Sequence, residues 1–209
     1  VGDPAVAIVW KNAYAVLRGD RVARQIGMFA VMVVGVCVFA WARPAQSAVV
    51  LGIVSAWMGA LLLLGPIWLR NDLRGDLPRL AQLRTYPVPA TRLVLAQLAS
   101  SAVALTLVEL ALGAAIFVAL LRSPDVTVAM ETRVAVAVAA ALALPAINLL
   151  SAAIHNAAAL LFPAWMPLGA DRKPGFEAMG QMYLTMFATL LLLTVLLIPP
   201  AIVGGLVGV

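Results

Sequence analysis

Residues 93–121 read LVLAQLASSAVALTLVELALGAAIFVALL, and this run decides the class of fold. A bilayer core of about 30 Å takes about 20 apolar residues to cross as a helix. Leu93 to Leu121 exceeds that length, with Glu109 as its one ionisable residue. In lipid a chain must satisfy its own backbone polar groups, so the run is expected to be a membrane-spanning helix.

Comparable runs lie on either side. A first span is predicted over Ile26–Ala42, short but uncharged, and a second over Ala48–Leu69. The run just quoted is the third. A fourth is predicted over Val134–Ala159, and a fifth from Met179 to at least Ile198. Pro199-Pro200 then interrupts the apolar stretch, because a proline disfavours the helical region for the residue before it. The expected fold is therefore all-α. It is a polytopic transmembrane helical bundle over residues 1–209, with five spans and a broken or truncated sixth.

Composition agrees. Of 209 residues, 64% are hydrophobic and 11% charged, where soluble domains carry about 25% charged. The mean hydropathy is +1.05. That much apolar surface cannot be hidden inside a soluble domain of this size. The net charge of +5 comes without the interleaved basic and aromatic clusters of nucleic-acid binders, so nucleic acid is not an expected partner. Cys37 is the only cysteine, which excludes an intramolecular disulfide and a cysteine-based zinc cage. The chain opens on Val1 and closes on apolar Gly204–Val209, so a fragment of a longer protein is expected.

Residues 1–25 differ from the spans. Asp3 can cap a helix with Pro4 at its first position. Val6, Trp10, Ala13 and Leu17 then share a face, and Lys11, Asn12 and Arg18 lie elsewhere. The pattern predicts an amphipathic helix in the membrane interface; a soluble linker helix is the alternative.

Charge orients the bundle. Lys11, Arg18, Arg21 and Arg24 precede the first span. Arg70, Arg74, Arg79, Arg84 and Arg92 lie between the second and third, and Arg172 and Lys173 between the fourth and fifth. The other side has only Arg43, Arg122 and Arg133. The positive-inside rule makes the richer side cytoplasmic.

The loop over 70–91 reads RNDLRGDLPRLAQLRTYPVPAT. Asp76 is placed to cap a short helix with Leu77 and Pro78 in its first turn. Leu73, Leu77, Leu80 and Leu83 fall near one face; Arg74, Arg79 and Gln82 fall away from it. Such a helix can lie on the bilayer with its arginines reaching phosphate. Equally, it can dock a cytoplasmic partner through its mixed charges and leucine ridge.

The string NDLRGDLPRLAQLRTYPVPATRLVLAQ, Asn71 to Gln97, resembles the loop of ABC-2-type transporter permeases. The opening PAVAIVWKN, Pro4 to Asn12, resembles the start of the second, C-terminal half of ABC exporter proteins. LFPAWMPLGADRKPGFEAMGQ, Leu161 to Gln181, is also similar to that family. The three stretches occur in the expected order.

The resemblance implies a transmembrane permease subunit that pairs with a separate cytoplasmic ABC ATPase. ATP and Mg would sit on that partner and no cofactor on this chain. Asp72, Arg74, Asp76, Arg79 and Arg84 would lie at or near the coupling surface. The loop over 163–179, with Arg172 and Lys173, would make a second cytoplasmic contact. Further partners would be the other half of the permease or a second copy, and the bilayer. The chain departs from the family at its end, where the re-entrant region and sixth span are missing or incomplete.

Within the spans, Glu109 either lines a transport path or takes a proton, or is a hydrogen-bonded carboxyl facing a neighbouring helix. Asn148, Ser151, His155 and Asn156 recur at helical spacing and form either a polar transport track or a set of helix-packing hydrogen bonds. A lone histidine offers no zinc set, no phosphate-binding G-x-x-x-x-G-K-[ST] loop occurs, and no Ser/His/Asp arrangement is evident. No catalytic, cofactor or metal residue is therefore assigned, and the chain is not expected to be an enzyme. The alternatives to an exporter are a secondary transporter hinging on Glu109, and a metal-dependent lipid-modifying enzyme using Asp72 and Asp76.

Overall fold

The structure is a computed structural model that describes residues 4–18, 20–68, 73–77, 80–83, 85–86, 88–162, 180, 183–191, 194–195 and 198. Among the described residues there are helices and no strand. In chain order these are α1 (Pro4–Arg18), α2 (Asp20–Ala42), a 3₁₀ turn (Pro44–Gln46), α3 (Ser47–Trp68), the single turns α4 (Leu73–Asp76) and α5 (Leu80–Leu83), α6 (Ala90–Arg122) and α7 (Met130–Leu161). Residues 183–191 are also helical.

Local chemistry sets several boundaries. Pro44 opens the 3₁₀ turn, where its missing N–H costs nothing. The Ser47 hydroxyl then donates to the Pro44 carbonyl at 2.6 Å. Pro89 precedes α6 in extended conformation, and its carbonyl accepts the first helical bond from Leu93 at 3.0 Å. At the far end, Arg133 closes the link between α6 and α7. Its guanidinium donates to the carbonyls of Leu120 at 2.5 Å, Val128 at 2.9 Å and Val126. The planar fork of arginine suits three carbonyls spread around it.

The axis of the bundle is α6, against which α1, α2, α3 and α7 all pack. Its C-terminal half presents Leu112, Ala115 and Ala119 to a core shared with Ala40 of α2 and Val50 and Val54 of α3. The close approach of α3 to α6 depends on Gly65, where a Cβ would come within 2.7 Å of the Leu105 side chain.

Polarity is inverted relative to a water-soluble bundle. The largest fully buried side chains include His155, Gln97, Glu109 and Asn148. The exposed ones include Met28, Val31 and Val38 on α2, Ile53 and Trp57 on α3, Leu95, Val103 and Leu107 on α6, and Val136 and Leu142 on α7. An apolar exterior around a polar seam fits lipid as the solvent. Three helical stretches, Pro44–Ile67, Ala90–Arg122 and Met130–Leu161, are long and apolar enough to cross a membrane. They correspond to the predicted second, third and fourth spans.

The predicted first span is the apolar part of α2, Gly27–Ala42, shorter than the length that defines those three. Most of the predicted fifth span lies in the helical residues at 180, 183–191, 194–195 and 198, and the break at Pro199-Pro200 lies outside the described residues. So does the loop over 163–179.

The loop over 70–91 departs from its predicted form. Asp76 ends the helical turn Leu73–Asp76, and residues 78–79, which it is expected to cap, lie outside the described residues. Its carboxylate accepts from side chains on two other helices, α1 and α6. Of the leucine ridge, Leu73, Leu77 and Leu83 pack against α1 and α6. Leu73 and Leu83 are buried with Ile8 of α1 and Leu93 and Ala96 of α6, and Leu77 packs beside them. Arg74, expected on the outer side, is buried as well.

Candidate functional site

Two polar clusters lie along the N-terminal two-thirds of α6. The first joins α1, the loop and α6. Asn12 donates through Nδ2 to Gln97 Oε1 at 2.6 Å and to Ser100 Oγ at 3.2 Å. Gln97 Nε2 donates to Asp76 Oδ2 at 2.8 Å, and the same oxygen accepts from Lys11 Nζ at 3.0 Å. The Ser100 hydroxyl donates to the carbonyl of Ala96 at 2.7 Å. Asn12 donates into Gln97 and Ser100, and these in turn donate to the Asp76 carboxylate and a backbone oxygen, so the bonds reinforce one another. The Lys11 side chain is 52% exposed and that of Asp76 19%, which places this cluster at a wet end of the bundle.

The second cluster joins α6 to α7. Asn148 Nδ2 donates to Glu109 Oε2 at 2.5 Å and to Thr106 Oγ1 at 3.1 Å. Further along α7, the ring Nδ1 of His155 lies 2.9 Å from the Ser151 carbonyl, and Asn156 Nδ2 donates to the Ala152 carbonyl at 2.7 Å. Glu109, Asn148, Ser151, His155 and Asn156 are all buried.

The two clusters face different neighbours of α6, the first α1 and the loop and the second α7. With Asn148 opposite Thr106 and Glu109, and α7 returning along α6 through the link at 123–129, each further turn of α7 lies nearer the start of α6. Ser151, His155 and Asn156 therefore lead from Glu109 toward Gln97. On α6 the same direction is marked by buried Thr106, Ser101, Ser100 and Gln97. From Gln97 to Glu109 the seam is about 18 Å long at 1.5 Å per residue. Beyond Glu109 the inward residues are apolar: Leu112, Ala115 and Ala119 on α6 and Leu144 on α7. At that other end Arg122 stacks over the Trp41 ring at 4.5 Å.

The predicted site residues thus separate. Glu109, Asn148, Ser151 and His155 come together in one seam. Asp76 lies at its wet end and Arg74 is buried beside it. Asp72, Arg79, Arg84, Arg172 and Lys173 lie outside the described residues. Sequence reasoning missed Asn12, Gln97, Ser100, Ser101 and Thr106. They gave no shared-face signal: at about 100° per residue, Thr106 and Glu109 lie roughly 120–180° around α6 from Gln97 and Ser100. Compared with family models, curated proteins and solved structures, the chain matches none.

Proposed function

We propose that this chain is the transmembrane permease subunit of an ATP-driven exporter in the cell membrane, with α1 and the loop over 70–91 on the cytoplasmic side. ATP hydrolysis on a separate ABC ATPase would push on that loop, and α6 would carry the movement into the bundle. In this reading α1 rests in the interface, with Val6, Trp10 and Tyr14 toward lipid. The predicted first and fifth spans complete a five-span permease, paired with its other half or a second copy.

One observation carries the coupling step: Asp76 Oδ2 accepts from both Lys11 of α1 and Gln97 of α6. A loop held only by its two chain ends would flex under a partner. This one is tied through side chains to α1 and α6, and Leu73, Leu77 and Leu83 are packed against them. The charges left to meet an ATPase are Asp72, Arg79 and Arg84, with Arg172 and Lys173 from the later loop.

The test is recovery of an ATPase with the full-length protein from native membranes. Arg79→Glu with Arg84→Glu is expected to abolish that recovery; Arg74 is left unchanged because it is buried. Undiminished ATPase binding and stimulation in the charge-reversed protein would remove the loop from the coupling role.

A second reading, ion-driven secondary transport, draws on the buried Glu109–Asn148 pair. It predicts gradient-driven transport in liposomes with no ATPase present.

A further inference from the structure

A hollow of about 50 Å³ lies between α2, α3 and α6, walled by apolar side chains that include Met32, Val36, Ile53, Trp57, Leu112 and Ala115. A single water fills roughly 10–15 Å³ and needs two or more polar partners, so this hollow has room for water and none of the bonds. Met32, Ile53 and Trp57 on its rim are exposed among the described residues. In a membrane the medium beside them is hydrocarbon, and a close-packed bundle forfeits dispersion contacts wherever such a space stays unfilled.

The hollow lies at acyl-chain depth beneath a cationic end of the bundle. At 1.5 Å per residue, Ala115 is about 10 Å along α6 from Arg122, and Val36 about 8 Å along α2 from Trp41. The Arg122 guanidinium lies over the Trp41 ring at 4.5 Å. Stacking of this kind uses the flat face of the group and leaves its N–H edge for an acceptor. Arg122 Nε is buried and has no acceptor among the described residues, and neither has the buried hydroxyl of Ser123 beside it. Arg43 is exposed at the turn between α2 and α3, whereas Arg133 is occupied by its three carbonyls. The acidic residues at this end, Asp125 and Glu131, are exposed and form no ion pair among the described residues.

We propose that this is a phospholipid site. One acyl chain of a lipid in the leaflet at the Arg122 end lies in the hollow, and its phosphate accepts hydrogen bonds from Arg122, with Arg43 adding positive charge nearby. Trp41 marks the headgroup level between them. The proposal rests on the membrane placement and not on an ATPase partner, so failure to find an ATPase leaves it standing.

The test uses the full-length protein, purified in detergent and stripped of lipid. Phosphatidylglycerol is titrated in, and the bound copies are resolved by native mass spectrometry. One copy is expected to bind ahead of all others. Arg122→Gln should weaken that copy about ten- to hundredfold, the range for hydrogen bonds to a charged group. Arg122→Lys, which keeps the charge, should retain part of the binding. Val36→Trp fills the hollow from a half-buried wall and should also displace the first copy. Thermal unfolding without lipid checks that each variant is folded. An undiminished first copy in either folded variant, Arg122→Gln or Val36→Trp, would overturn the site. So would several copies bound alike with none ahead, or a parent that takes up no lipid because another part of the chain fills the hollow.

Discussion

Asn12 of α1 donates a hydrogen bond of 2.6 Å to Gln97 of α6, with both side chains buried. With the Asn12–Ser100 bond and the Lys11–Asp76 pair, it fastens the amino-terminal helix by polar as well as apolar contact. Asn12→Ala and Gln97→Ala should each lower stability by about 1–3 kcal/mol, because each breaks buried side-chain hydrogen bonds. The double variant should cost less than the two together, with a coupling of about 0.5–3 kcal/mol. Thermal unfolding in detergent measures all three, and strict additivity would refute the bond.

Gly65 allows α3 to lie against Leu105 of α6. Gly65→Ala is expected to destabilise by about 1–3 kcal/mol through overpacking. Adding Leu105→Ala should recover part of that loss, although Leu105→Ala alone opens a cavity. A double variant less stable than the additive sum would place the strain elsewhere.

Arg133 serves three carbonyls at the end of α6 and in the link to α7. Lysine keeps the charge and loses the fork, so Arg133→Lys should behave nearly as Arg133→Ala does. The expected loss is about 1.5–3 kcal/mol, the range for hydrogen bonds to a charged group. Limited proteolysis near 123–129 provides a local readout, with both variants cut faster than the parent.

Asn148→Leu removes the donor that Glu109 Oε2 accepts from. A buried carboxyl without its partner makes this substitution costly, by about 1–3 kcal/mol. Replacing both residues, Asn148→Leu with Glu109→Met, should restore stability to within about 1 kcal/mol of the parent, since apolar pairs of similar shape are close to neutral. Retained folding with this pair removed would show that it is kept for a reason other than stability.

The long helices were legible because a helix exposed to lipid on most sides reads as an unbroken apolar run. The spacing of Asn148, Ser151 and His155 was legible for the complementary reason, that polar residues three and four apart in such a run must share a face. The surroundings of α1 were harder to read. Asn12 and Lys11 looked like an outward face, by the habit that polar means solvent; in this bundle Asn12 is buried toward α6. The partner of Asp76 was not legible either. Lys11 lies 65 residues away in sequence, and local rules offered the nearer role of a helix cap. Leu73, Leu77 and Leu83 were correctly grouped by periodicity, which states that a face is apolar and not what covers it.

Synthesis runs from the amino terminus, so α6 is finished before any of α7 exists. Glu109 is therefore made 39 residues ahead of Asn148. The carboxyl that ends up paired at 2.5 Å begins as a lone polar group in an entering helix, and remains so until the chain turns at 123–129 and comes back. The tight link held by Arg133 keeps that interval short, and makes α6 and α7 a pair in time before they are a pair in space.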